Sequence, residues 1–262
     1  MTDVLRREGL LVGGPGSPQQ GLWSPAKSET ELAQLAQLAQ LVSHELRQPA
    51  QAIHSFVSIL LHERAGPLNA IQRDFLLTAE HALRRLERLI ADYEVMLSQG
   101  RVLDLDARPL DLLEHVHSCT REVLPLAEAN DLALRVTTQS DGSFACLADP
   151  DRIDQILLNL LENACHYATL GSIIRIRLRR SRQRVLCLVE NEIDTPATDA
   201  TAWSEPFQRG PDAHVLYQRG RGLGLTVVQQ LISAHGGRML TRAGARTFAV
   251  GFVIPRRLDL TG

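Results

Sequence analysis

The sequence predicts an α+β fold in which a helical hairpin precedes an α/β sandwich. Between residues 30 and 99, apolar residues recur at helical spacing in two long stretches that the breakers Gly66 and Pro67 separate. Between residues 105 and 256, shorter helical patterns alternate with segments of strand type, which indicates helices packed on a mixed sheet. We therefore expect two domains after an N-terminal leader.

Length, charge and composition narrow the function classes. The chain has 262 residues, of which 44% are hydrophobic, and its net charge is −2. The near-neutral charge argues against a nucleic-acid partner, which favours a basic face. No apolar run approaches the roughly 18 residues of a membrane span, so we expect a cytoplasmic protein without one. The four cysteines are not grouped as zinc ligands are, and we expect buried, reduced thiols.

The first 99 residues read as a leader and a hairpin. Residues 1–29 hold glycine, proline and serine without periodicity, which is typical of a flexible leader. In the following hairpin, His44 lies about 170° from the apolar stripe of its helix and is expected to face solvent. The hairpin cannot bury both of its stripes alone, so a homodimer forming a four-helix bundle is predicted. The two stripes are Leu38, Val42, Leu46, Ile53, Val57 and Leu60, and Leu76, Ala79, Leu83, Leu86, Ile90 and Leu97.

The predicted sandwich follows from residue 105. Asp149-Pro150-Asp151 is a helix cap, and the helix it begins ends near Tyr167. A second helix covers residues 110–129 and a third covers residues 223–235, where two glycines end it. Strands are predicted at 131–138, 144–147, 173–178, 185–189, 238–243 and 246–254. The irregular stretch at 192–221 is long enough to be a mobile lid.

The segment Ser43 to Pro49 is the first motif with a chemical reading. An imidazole such as that of His44 attacks phosphorus through one free nitrogen, and Glu45 beside it could accept the proton. Gln48 follows His44 by four residues and shares its face of the helix. The alternative reading is an exposed histidine on a solvated helix.

Two further motifs point to a nucleotide. Asn159 and Asn163 emerge from one helix face, and amide oxygens can ligate Mg²⁺ beside a triphosphate. Gly220 to Leu225 opens a helix, where glycines let the backbone approach phosphates. Arg219 and Arg221 could meet phosphate oxygens. The alternatives are a polar helix stripe and a flexible turn, and the lack of a preceding strand argues against a dinucleotide site.

In this order and spacing, the three motifs resemble those of the histidine kinase family of two-component signalling, over about residues 30–255. The His44 segment is similar to the family's H box, and the segment from Asn159 to Ala168 is similar to its N box. Glu205-Pro206-Phe207 is similar to the F box, and the segment from Gly220 to Leu225 to the second glycine box. The resemblance implies a dimerisation and phosphoacceptor domain at 30–99 and a Bergerat-type ATP-binding domain at 105–256.

The resemblance also implies roles for single residues. His44 would be phosphorylated from ATP with Glu45 and Gln48 beside it, and would pass the phosphoryl group to an aspartate of a response-regulator receiver domain. Asn163 would ligate Mg²⁺, Asn159 would support the phosphates, and Phe207 would belong to the ATP lid. The other implied ATP-binding residues are His166, Tyr167, Asn191, Arg219, Gly220, Arg221, Gly222, Leu223, Gly224 and Leu225. An upstream sensor protein is a further candidate partner.

The chain departs from the family at three places. No glycine occurs between Glu190 and Pro196, where the first glycine box is expected, and Asn191 stands for the aspartate that binds adenine, with Glu190 as the next candidate. His166 replaces a lysine, and Gln48 replaces a Thr or Asn linked to phosphatase activity. A second function therefore stays open, a histidine phosphotransfer or scaffold protein whose degenerate site binds no nucleotide. The His44 motif argues against a third, an ATPase outside phosphosignalling.

Overall fold

The computed structural model describes residues 11–12, 29–97, 103–139, 142–194 and 224–256. They fall into two compact units. One unit is the helical hairpin, and the other contains Leu11–Val12 together with the described residues from 103 onward. This division agrees with the predicted order of a hairpin followed by an α/β domain. Among the described residues, no helix has an apolar run long enough to cross a bilayer.

The hairpin consists of α1 (Glu29–Leu61) and α2 (Ala70–Leu97). The turn between them contains Gly66 at φ 122°, a backbone conformation that favours glycine. The second helix begins at Ala70 rather than at Leu68, because Asn69 and Gln72 form a reciprocal capping box: each side-chain oxygen accepts from the other residue's backbone N–H, at 2.8 and 3.0 Å.

An ion pair, a hydrogen bond and a narrow apolar seam join the two helices. Arg47 forms an ion pair with Glu94, and two turns further along α1 His54 Nδ1 lies 3.2 Å from the carboxylate of Glu87. The buried seam residues include Ala50, Val57, Leu83 and Ile90. Of the predicted stripes, Val57, Leu83 and Ile90 are thus buried within the hairpin, whereas Leu46, Ile53, Leu60 and Leu86 are exposed.

The second unit is a two-layer α/β sandwich, as predicted. Its strands are β1 (Leu11–Val12), β2 (Arg108–Asp111), β3 (Ala133–Thr138), β4 (Ala145–Ala148), β5 (Ile173–Arg180), β6 (Arg184–Glu192), β7 (Arg238–Ala243) and β8 (Thr247–Pro255), and its helices are α3 (Leu112–Glu128), α4 (Pro150–Tyr167) and α5 (Gly224–Ala234). The main sheet has the order β1-β7-β8-β6-β5-β3, and β3 with β5 is its parallel pair. β2 and β4 form a separate antiparallel pair.

Two strands differ from the sequence prediction. Leu11 and Val12 pair with Thr241 and Leu240 of β7, so the expectation of a structureless leader is wrong at these two residues. The predicted helix at 110–129 begins only at Leu112, because Arg108–Asp111, for which no strand was predicted, pairs along the whole of β4. Both strands are too short to show an alternating pattern, and their partner's unpaired edge, rather than their own propensity, makes them extended.

The helix layer lies on one face of the main sheet. α4 packs between α3 and α5. Burial first, then Asp154 and Glu122, and last the nearby Cys187 of β6 raise the pKa of the Cys119 thiol on α3, so this part of α3 faces β6. β6 is buried on both faces from Val185 to Asn191, which explains its continuous apolar sequence. All four cysteines are buried and free, as predicted. Burial raises the pKa of Cys165 and of Cys187 to about 12, and that of Cys146 to about 11.

Candidate functional site

Helix α4 is the element on which the candidate nucleotide site is built. Asp149 is its N-cap, and the carboxylate accepts from the N–H groups of Asp151 and Arg152 at 3.1 and 3.2 Å, as the sequence predicted. Its core face is apolar and buried. Asn159 and Asn163 are spaced one turn apart beside that face and are half-buried, so both amides emerge at the edge of the helix layer.

The beginning of α5 lies against Asn159. The Nδ2 group of Asn159 donates to the carbonyl oxygen of Gln155 at 3.1 Å, and this bond fixes the amide. A Cβ placed on Gly224 would lie 2.9 Å from Asn159 Oδ1, closer than a carbon and an oxygen normally approach. Glycine at this position therefore allows the second and third sequence motifs to meet. We call the space between Gly224 and Asn159 the Gly224 cradle. A side chain at position 224 would fill this cradle, which is a physical reason for the last glycine of the segment from Gly220 to Leu225.

The other end of α5 is also fixed to α4. His235 accepts from the backbone N–H of Asp149 through Nε2 at 3.2 Å, and its Nδ1–H donates to the carbonyl oxygen of Leu231 at 2.7 Å. These two bonds require the neutral ring. Asp149 is also the N-cap of α4, so this residue links the beginning of α4 to the end of α5. Together with the contact between Gly224 and Asn159, this joins α5 to α4 at both of its ends.

The last turn of α4 is tied to the end of β6 through Thr169. The N–H of Thr169 donates to the carbonyl oxygen of Glu192 at 2.9 Å, and its hydroxyl donates to Asp194 Oδ1 at 2.8 Å. His166 and Tyr167 lie in that last turn and are half-buried. The bonds of Thr169 thus bring the end of the N-box-like segment beside the strand end that carries Asn191. Sequence reasoning missed Thr169, although a threonine directly after a helix is a common turn residue.

Asn191 is the residue of β6 that faces the site. It is 2% exposed and shares the helix-facing side of the strand with Val189. Its Nδ2 group donates to the carbonyl oxygen of Glu192 at 3.1 Å, whereas no described residue donates to its Oδ1. The amide is therefore oriented with its acceptor available, which is the orientation that binds an exocyclic amino group.

Glu190 points to the opposite face of the sheet. Successive strand residues alternate between faces, and the Glu190 carboxylate accepts from Arg177 at 2.9 Å and from Arg242 at 2.6 Å. The interpretation of Glu190 as the next candidate for binding adenine is therefore wrong. Its role is structural, since it links β5, β6 and β7 across the outer face of the sheet.

Several sequence-predicted site residues lie outside the described residues. Gly224 and Leu225 begin α5 and are described. The predicted site residues outside the described ranges are Phe207, Arg219, Gly220, Arg221, Gly222 and Leu223. The predicted irregular stretch at 192–221 falls mostly in the same part of the chain.

The phosphoacceptor segment lies on α1, and the helix continues through Pro49. Glu45 and Gln48 are exposed, and the backbone of His44 is helical. The expectation that the His44 side chain faces solvent lies outside what the structure describes. Arg47, which sequence reasoning did not single out, is held by Glu94 of α2 close to this segment.

The described residues also allow a test of the implied magnesium ion. No described cluster of three or more His, Cys, Asp or Glu side chains could hold a metal by itself. An amide oxygen of Asn163 beside a triphosphate is a different kind of site, since the phosphates would supply most of the ligands. Asn163 lies one turn from Asn159, the residue against which Gly224 packs, and this position fits that arrangement.

Two family models match the chain. Residues 34–100 match the His Kinase A (phospho-acceptor) domain, and residues 148–257 match the histidine kinase-, DNA gyrase B-, and HSP90-like ATPase. The two matches fall on the hairpin and on the α/β unit, in the order that the sequence predicts. They contain every described candidate site residue.

Curated relatives are similar over about three quarters of the chain. The alginate biosynthesis sensor protein KinB of Pseudomonas aeruginosa is 30% identical over 79% of this chain and 35% of its own length. The adaptive-response sensory kinase SasA of Synechococcus sp. (strain JA-3-3Ab) is 30% identical over 76% of this chain and 53% of its own length. The chain therefore spans about a third to a half of the length of these relatives.

Solved structures share the fold. Full-length ShkA in complex with AMPPNP matches with a TM-score of 0.57 and 22% identity, over 84% of this chain and 46% of that one. The histidine kinase ThkA in complex with the response regulator TrrA matches with a TM-score of 0.54 and 18% identity, over 90% of this chain and 66% of that one. At these identities the likeness establishes the fold, a helical hairpin followed by an α/β sandwich.

Proposed function

The chain belongs to the histidine kinase family of two-component signalling, and we propose that it is an ATP-dependent protein-histidine kinase. It phosphorylates His44 and passes the phosphoryl group to an aspartate of a response-regulator receiver domain. The observation that carries this proposal is the contact of Gly224 with Asn159, two residues that are far apart in sequence. It is supported by the bonds of Thr169, which join the end of α4 to the end of β6 that carries Asn191.

The proposed phosphorylation needs only residues that the motifs supply. A nitrogen of the His44 imidazole attacks the γ-phosphorus, the N–P bond forms, and the bond to the bridging oxygen breaks, leaving ADP. The imidazole proton passes to the Glu45 carboxylate, which is exposed on the same helix. Asn163 is the proposed ligand of a magnesium ion, which when bound neutralises phosphate charge.

Asn191 is the proposed selector for adenine. Its Nδ2 group is engaged with the Glu192 carbonyl, so its free Oδ1 accepts from the adenine amino group. Guanine presents a carbonyl oxygen at that position and would face an acceptor. We therefore expect ATP to be preferred over GTP. A carboxylate would bind the amino group about 1 kcal/mol more strongly than the amide does, but Asn191→Asp would also lose the bond to the Glu192 carbonyl and set an oxygen against it. We therefore expect no net gain in ATP affinity from Asn191→Asp.

A homodimer through the hairpin is part of the proposal. Leu46, Ile53 and Leu60 lie on one face of α1 and are 37 to 53% exposed. On α2, Ile71, Phe75, Leu86 and Tyr93 fall within about 60° of one another and are exposed as well. Apolar residues on one face of each helix are what a four-helix bundle of two hairpins would bury.

A receiver domain is the proposed partner in the second step. The solved ThkA structure contains its response regulator, which shows that a protein of this fold binds such a partner. The residues that follow His44 by whole turns, such as Gln48, Gln51 and Ser55, are exposed and uncharged. They offer a polar surface along which a receiver could approach the phosphohistidine.

A second candidate function is favoured by the missing glycines between Glu190 and Pro196. A histidine phosphotransfer or scaffold protein would keep His44 and bind no nucleotide. Titration of the parent with ATP and GTP, with and without Mg²⁺, separates the two functions. We expect ATP binding in the parent, a loss of the Mg²⁺ effect in Asn163→Ala, and weaker, less selective binding in Asn191→Ala. A parent that binds neither nucleotide would leave the phosphotransfer function and refute the kinase.

A further inference from the structure

The N-terminal strand β1 occupies an edge of the main sheet. Leu11 and Val12 pair antiparallel with Thr241 and Leu240, and without them β7 would be the edge strand. An edge strand presents unpaired N–H and C=O groups, which readily pair with an added strand. Strand addition of this kind is a common way to bind a peptide segment reversibly.

An apolar cluster on the outer face of the sheet lies next to this edge. Its residues are at most 3% exposed, although they alternate with Cys187 and therefore lie on the face opposite to the helices. Leu240, a member of the cluster, is the register partner of Val12. The cluster consists of Leu186, Leu188, Leu240, Ala249 and Val253. The edge thus offers backbone groups to the added strand beside a buried apolar part of the sheet.

The pairing of β1 with β7 adds a second connection between the α/β unit and the hairpin. β1 belongs to the α/β unit, whereas α1, which begins at Glu29, belongs to the hairpin. Residues 13–28 connect the two and span at most roughly 60 Å when fully extended. At the other end of the hairpin, residues 98–107 connect α2 to β2. While β1 is paired, both ends of the hairpin are therefore tethered to the same α/β unit.

We propose that the segment around Leu11–Val12 is a docking strand whose pairing with β7 restrains the α/β unit and slows phosphoryl transfer to His44. The restraint rests on the proposed kinase function, whereas the docking does not. Phosphoryl transfer to His44 requires the α/β unit, which would bind the nucleotide, to approach the hairpin. An α/β unit connected to the hairpin by two chain segments can reach fewer positions than one connected by a single segment. Release of β1, by a substitution or by a ligand that binds the N-terminal segment, therefore raises the rate.

The docking is tested by hydrogen exchange in the full chain. Val12→Asp replaces a residue that favours strands with one that strands disfavour and should detach β1, whereas Val4→Asp makes the same change at a position outside β1. We expect the amides of Arg238–Ala243 to exchange at least about threefold faster in Val12→Asp, because an unpaired edge opens locally. Unchanged exchange relative to the parent and to Val4→Asp would refute the docking.

The restraint is tested by the rate of His44 labelling at saturating ATP. We expect Val12→Asp to be labelled about threefold to tenfold faster than the parent. In the parent, docking of β1 keeps the state that can transfer the phosphoryl group at a minor population, and its release raises that population. Val4→Asp should behave as the parent. Faster exchange with an unchanged or lower labelling rate would refute the restraint. A parent that never labels would refute the proposed kinase function, and the exchange measurement would still decide on docking.

Discussion

The close contact between Gly224 and Asn159 allows the proposed nucleotide site to be tested with a single substitution. In Gly224→Ala the new methyl group would lie 2.9 Å from Asn159 Oδ1, so the amide must move by several tenths of an ångström. The movement would strain the bond from Asn159 Nδ2 to the Gln155 carbonyl, which measures 3.1 Å in the parent. Loss of one well-aligned polar contact is worth about 1 kcal/mol, so ATP affinity should fall by about fivefold.

Stability should change in the other direction. Alanine is favoured over glycine by about 1 kcal/mol in a helix interior, and at position 224, the first residue of α5, we expect enough of this gain to offset the strain at Asn159. The melting temperature of Gly224→Ala should therefore be equal to or higher than that of the parent, while its ATP affinity falls. Gln229→Ala, an exposed change on the same helix, is the matched control and should alter neither quantity.

Isothermal titration with ATP and calorimetric melting of the three proteins test both effects. Weaker binding in a protein that melts no earlier than the parent would support the placement of the phosphates beside Asn159 and Gly224. Unchanged affinity in Gly224→Ala would place the nucleotide elsewhere, because no bound phosphate could then depend on that cradle. A lower melting temperature with lost affinity would show general misfolding, and the reasoning from one local clash would be wrong.

Three further predictions follow from other parts of the structure. Glu190→Gln should lower the melting temperature by roughly 3 to 8 °C, because the partly solvated Arg177 and Arg242 lose their shared counter-charge at a cost of about 1–2 kcal/mol. Its ATP affinity, measured by titration, should stay within twofold of the parent's, and a large loss of affinity would show that Glu190 belongs to the nucleotide site. The native cysteines should react with a disulfide reagent at pH 8 far more slowly than in guanidinium, because a raised pKa keeps Cys165 protonated whereas an unfolded thiol has a pKa of about 8.5; fast labelling of the folded protein would contradict their burial. Phe75→Asp should shift sedimentation from dimer to monomer, since Phe75 is 69% exposed on the proposed dimer face, whereas Arg85→Asp, a change at another exposed position of α2, should not; an unchanged dimer in Phe75→Asp would refute that face.

Local sequence signals predicted most elements of the fold. Asp149-Pro150 specified the beginning of α4 because a carboxylate cap and an N1 proline both act within one turn. The continuous apolar run of β6 identified a central strand, because a strand buried on both faces needs no polar residue. These features depend on neighbours in the chain, so a single sequence contains them.

Features that depend on distant partners could not be predicted in the same way. β1 and β2 are extended because β7 and β4 offer free edges, and nothing within Leu11–Val12 or Arg108–Asp111 specifies those partners. Which of Glu190 and Asn191 faces the helix layer could be assigned only from the structure, in which Glu190 pairs with Arg177 and Arg242 on the outer face. The close approach of Gly224 to Asn159 joins residues that are 65 positions apart, so the sequence showed two separate motifs and not their contact.

Phosphoryl transfer from ATP to His44 is the central step of the proposed function, and it can be measured directly. The full-length protein is incubated with γ-labelled ATP and Mg²⁺, and the label is tested for the acid lability and alkali stability of phosphohistidine. We expect labelling of the parent, none in His44→Ala, and none in Asn163→Ala, while His44→Ala still binds ATP as the parent does. Retained label in His44→Ala, or a parent that binds ATP and Mg²⁺ but forms no phosphohistidine, would contradict the assignment of His44 as the acceptor.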